Sequence, residues 1–185
     1  MHKITGTIGL NFFTGTGFVV SVIVAQAVLS AVAGVELSNS IRDLTAIARG
    51  EVMLFTLAFV SFAITGFLVW AWVRIRKAVA PKFGFHVEQP QSVPTNHKLA
   101  WILTYVGVGI ATFVFFYGFE EAVKGIDPTA QINGVGQLFD AISTQNPIVI
   151  AGYVGMFIVL GFVVSGLGKL FHPVHTIADT ITRGN

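Results

Sequence analysis

Residues 69–121 read VWAWVRIRKAVAPKFGFHVEQPQSVPTNHKLAWILTYVGVGIATFVFFYGFEE. An apolar run ends in Arg74, Arg76 and Lys77, and a loop rich in proline and glutamine follows. His97 and Lys98 then open a second apolar run, which climbs to Phe119 and stops at Glu120 and Glu121. This pattern describes a transmembrane hairpin whose basic turn lies on one side of a bilayer and whose acidic exit lies on the other.

Composition agrees. Of the 185 residues, 54% are hydrophobic and 11% charged, against roughly 25% charged in a soluble domain. The apolar residues fall in long runs, so one helical membrane unit is expected, with no separate water-soluble domain. The net charge of +2 is explained by membrane topology and not by nucleic acid. The chain has no cysteine, which excludes disulfides, thiolate metal sites and CxxC redox motifs.

Outward from the hairpin, the chain divides into four spans, at residues 11–34, 51–73, 99–119 and 147–170, each near the ~20 residues that cross a hydrocarbon core. The fold class expected is all-α, polytopic, with short interfacial helices. Residues 1–10 read as a polar lead. Ala31-Val32-Ala33 resembles a signal-peptidase site, but the segment is read as a retained span. Gln26 and Ser30 share a face that should pack on protein, because amides are costly in lipid. Ser40, with Ile41, Leu44 and Ile47, suggests one interfacial helix, and Leu138, Phe139 and Ile142 another. Trp70 and Trp72 stand where indoles favour headgroups. Pro147 suits a first helical turn. Gly161, Ser165 and Gly168 form a small-residue stripe that lets helix backbones meet. Val174, Ile177 and Ile181 suggest an amphipathic tail on the membrane surface.

Orientation follows from counting. With both termini and the second loop on the cytoplasmic side, that side holds Lys3, Arg74, Arg76, Lys77, Lys82, Lys98, Lys169 and Arg183. The other side holds Arg42, Arg49 and Lys124. Eight against three places the termini inside.

Candidate chemistry rests on five histidines, none of them inside an apolar run. His97 begins the third span, and His172 and His175 end the fourth, so antiparallel neighbours would bring them together. Imidazole can ligate haem or a metal, and the competing reading is polar residues meeting water and headgroups. Pro173 is expected to end the helix between His172 and His175 and so to spoil a helical ligand pair. The threonines at 14, 16, 56, 65, 104 and 112 should bond back to their own helices. No charge lies mid-span, which argues against an autonomous pump. Gly15-Thr16-Gly17 lacks the GK[ST] of a P-loop, and no nucleophile turn is present.

The hairpin resembles the two-helix membrane anchor of subunit II of haem-copper respiratory oxidases. Asn96, Lys98, Leu99 and Thr104 fit the start of that family's second helix. The family's glutamate falls at Ala100, its tryptophan at Leu103 and its proline at Gly107. Its copper-binding domain has no counterpart in the roughly 27 residues between the third and fourth spans. The resemblance implies a subunit that kept the hairpin and lost electron entry. Taken together, the expectation is a non-catalytic subunit of a larger membrane complex, which the resemblance implies is respiratory, in the cell membrane with other membrane subunits as partners. A small haem protein linked to quinone and a homo-oligomeric channel are the alternatives. No cofactor is assigned outright; haem, bound lipid and quinone stay open.

Overall fold

The structure, a computed structural model, describes residues 2–33, 52–85, 98–126, 143 and 147–183. The described residues form helices and no strand. Helix α1 spans His2–Ala33, α2 Val52–Val79, α3 Lys98–Ile126, α4 Pro147–Leu167 and α5 Phe171–Arg183. Four runs of helix, Ile4–Ala25, Phe55–Phe83, Lys98–Gly118 and Ile150–Thr182, are long and apolar enough to cross a membrane. The polar lead expected at residues 1–10 is helical from His2 onward. The two interfacial helices expected around residues 41–47 and 138–142 lie outside the described residues, as do the side chains of Gln26 and Ser30.

Local chemistry sets the helix ends. Helix α2 tightens into a 3-10 turn at Ala80–Phe83 and stops at Gly84, whose φ of 81° is left-handed. The Gly84 and Phe85 amides return to the carbonyls of Pro81 and Ala80, each at 3.1 Å, so the last carbonyls of the helix are satisfied where the chain turns away. Pro147 opens α4 as expected.

Pro173 does not end a helix. A 3-10 segment at Gly168–Leu170 joins α4 to α5, and Pro173 falls in the first turn of α5. There its missing amide proton costs nothing, and the helix runs on to Arg183.

Helices α1 and α4 form one close pair and α2 and α3 another, with α1 against α2 joining the pairs. Beyond the 3-10 segment, α5 leaves the company of α1 and lies along α3. Phe18, Val69, Val108, Val164 and Leu167, drawn from α1, α2, α3 and α4, make the central core.

Both pairs are closed the same way. A Cβ on Gly66 would overlap the Tyr105 carbonyl oxygen, and one on Gly109 would overlap that of Phe62. Likewise Gly15 faces the Phe157 carbonyl, and Gly161 faces that of Asn11. In each pair a glycine on one helix meets the carbonyl of the residue four before the glycine on the other. Such close approach is how apolar helices gain contact when no water is expelled, and it suits Cα–H···O contacts.

The outward surface is apolar, with Ile8, Phe12, Val24, Phe55, Val114, Val159 and Phe162 among many exposed side chains. Inside, hydroxyls fold back onto their own helices. Thr14 donates to the Leu10 carbonyl at 2.7 Å, Ser61 to Leu57 at 2.8 Å and Thr112 to Val108 at 2.8 Å. Thr16 departs from that expectation, its hydroxyl being buried with no partner among the described residues.

Candidate functional site

The α3–α5 seam carries the most polar chemistry. Val174, His175 and Ala178 turn toward α3, while Ile177 and Ile181 stay exposed. The face expected from Val174, Ile177 and Ile181 is therefore split. Ala178 permits close approach, and the face centred near it is the one that α3 covers. His175 is 8% exposed, so it is a packed residue and not the headgroup contact expected of a helix end.

Its partners define its state. The Thr104 hydroxyl donates its one proton to the Ala100 carbonyl at 2.6 Å. Thr104 Oγ1 lies 3.0 Å from His175 Nδ1, so it accepts there and Nδ1 carries a proton. In that neutral tautomer the lone pair is on Nε2. The Trp101 ring lies against the imidazole with centroids 4.5 Å apart. Trp101 Nε1 is itself buried with no partner among the described residues.

An aromatic cluster continues from this pair. Trp101 meets Tyr105 at 5.7 Å, Tyr105 meets Phe67 at 5.7 Å and Phe171 at 6.4 Å, and Phe67 stacks on Trp70 at 5.7 Å. The Arg74 guanidinium sits 5.2 Å from the centre of the Trp70 ring, a cation–π contact at the cluster's basic end. Trp72, expected at the headgroups with Trp70, is turned inward. Its Nε1–H donates to Ser21 Oγ at 3.0 Å, and Ser21 donates to the Phe18 carbonyl at 2.8 Å.

The other residues singled out by sequence fall in different places. His97 and Asn96 lie outside the described residues. His172 is exposed one turn before His175. Lys98 and Leu99 are exposed at the start of α3, whereas Thr104 is buried at the seam. Gly161 meets Asn11, Gly168 meets the Val73 side chain, and Ser165 lines a crevice between α1, α2 and α4. The two glycines of that stripe are thus occupied by contacts within the chain, and its serine opens on the crevice. No group of three or more His, Asp and Glu side chains is placed to hold a metal among the described residues.

Sequence reading missed Trp101 and Thr104 as the setting of His175. The signal was present, since Trp101 and Thr104 are three residues apart and share a helix face. Without the register between α3 and α5, nothing directed that face at a histidine. The seam holds one enclosed imidazole with a set tautomer beside an indole donor, which suits binding a small polar or ligating group more than bond-breaking chemistry. No protein-family model matches the chain, and no curated protein or solved structure matches it either.

Proposed function

We propose that the chain is a multi-pass protein of the cell membrane, with both termini cytoplasmic, and that it serves as a non-catalytic subunit of a larger membrane complex. The respiratory chain is the setting that the hairpin resemblance implies. The membrane placement is supported by four apolar helices and by Arg74, Arg76, Lys77, Lys82, Lys98 and Lys169, which belong to the ends of α2 and α4 and the start of α3.

The observation that carries the partner reading is the outer face of α4. A Cβ at Gly152, Gly155 or Gly166 would meet nothing within 4 Å among the described residues. With exposed Val159 and Phe162 between them, these glycines recur at helical spacing on one face. Small residues of this kind let another helix approach its backbone closely. In contrast to Gly161 and Gly168, they are uncovered by the described residues.

The test is purification of the tagged chain in mild detergent. Distinct polypeptides should copurify with the wild type and be lost from Gly155→Leu, which should remain monodisperse. A lone wild-type monomer by mass photometry sinks the proposal. The enclosed His175 favours one other reading, a haem protein, which requires a Soret band abolished by His175→Ala.

A further inference from the structure

A second feature lies away from the histidine seam. Where the first turns of α1 meet the last turns of α2 and α4, a cavity of about 410 Å³ opens. Arg76, Lys77 and Lys169 line it together with Leu10, Phe85 and Ser165. Among the described residues no aspartate or glutamate lines it. The size is within the roughly 300–1,000 Å³ typical of small-molecule sites.

Basic residues at helix C-termini have an ordinary explanation, since they mark the cytoplasmic side and complement the helix dipole. That explanation covers Lys77 and Lys169, which are exposed at the mouth. It does not cover Arg76, which is half-buried, with Nη1 enclosed and unpartnered among the described residues. Two residues earlier, Arg74 has an aromatic ring beneath it. A buried donor without an acceptor is costly, and three cations sharing one crevice repel each other. One group resolves both problems: an anion with several acceptor oxygens. Guanidinium suits phosphate geometrically, and the two ammonium groups add charge at the mouth. The apolar wall of Leu10 and Phe85 suits an attached hydrocarbon.

We propose that this crevice binds the phosphate of an anionic phospholipid. The proposal rests on the bilayer placement and not on any protein partner, so it can survive loss of the subunit reading and can fail without it. Basic pockets between membrane helices on the cytoplasmic side recognise such headgroups by charge.

Native mass spectrometry of the full chain in non-ionic detergent tests this, with phosphatidylglycerol, phosphatidylcholine and inorganic phosphate as probes. Phosphatidylglycerol should stay bound under activation that strips phosphatidylcholine. Arg76→Gln with Lys169→Gln should weaken it by about thirtyfold, the loss of two charge contacts at an anionic surface. Ser165→Leu keeps every charge and fills the cavity, and it should also release the lipid. The charge-matched control, Lys82→Gln with Lys98→Gln, should leave binding unchanged. Equal loss in the control means a diffuse basic face and overturns the site. Equal retention of the two lipids overturns it too. Binding of inorganic phosphate without phosphatidylglycerol overturns the lipid as the source of the phosphate.

Discussion

At Gly66 and Gly109 the backbones of α2 and α3 touch, with aromatic pairs packed beside the crossing; where α5 meets α3, a histidine, a threonine and a tryptophan fill the gap. The first seam gains dispersion and Cα–H···O contact along packed main chain. It asks only that no Cβ be present. The second gains a side-chain hydrogen bond and ring contacts, and it asks for particular atoms in particular states. The glycine seam is a structural closure repeated at α1–α4. The histidine seam occurs once among the described residues, and there Trp101 Nε1 is buried with no partner among them.

This contrast can be broken by substitution. The largest effect is expected at the glycine seams. Gly66→Leu or Gly15→Leu should cost at least ~3 kcal/mol, the upper part of the overpacking range, because the obstacle is a backbone carbonyl that no rotamer can clear. Thermal unfolding in detergent checks this, and a wild-type midpoint for Gly66→Leu would refute the close approach. A smaller effect is expected at the histidine seam. A double-mutant cycle between His175→Phe and Thr104→Val should show coupling of about 0.6 kcal/mol and at most about 1.7, the average and the maximum measured for hydrogen bonds between membrane helices. Zero coupling would remove the Nδ1–Oγ1 bond and the tautomer with it. Trp72→Phe, which keeps the ring contact with Phe13 but drops the bond to Ser21, should cost about 0.6 kcal/mol. Ser21→Ala should add little once Trp72 is changed, as measured by the same unfolding assay. Gly155→Ala, on the open face of α4, should cost no stability and could gain up to about 1 kcal/mol through helix propensity. A clear loss in the isolated chain would show that this face is covered from within.

Much of the fold was legible because apolar length is a one-dimensional property. The four membrane-length helices follow from runs of Leu, Val, Ile and Phe, and the start of α4 follows from Pro147. Helix ends were less legible. Pro173 reads as a stop, yet a 3-10 segment resets the helix so that the proline occupies a new first turn. The candidate site was only half legible. His175 could be named from its residue type, but the choice between a headgroup contact and an enclosed imidazole depends on which helix covers it. Gly161, Ser165 and Gly168 likewise read as a packing stripe, while the neighbour they meet could not be read.

By itself, then, the sequence determined how many apolar helices there are and at which ends the cations gather, because both depend on the order of residues along one chain. Tertiary structure alone decided which glycine meets which carbonyl, that His175 lies between Trp101 and Thr104, and that Arg76 opens into a shared crevice. The physical reason is that such contacts depend on the register and rotation of one helix against another, and a few ångströms of sliding would exchange every partner while leaving each helix unchanged.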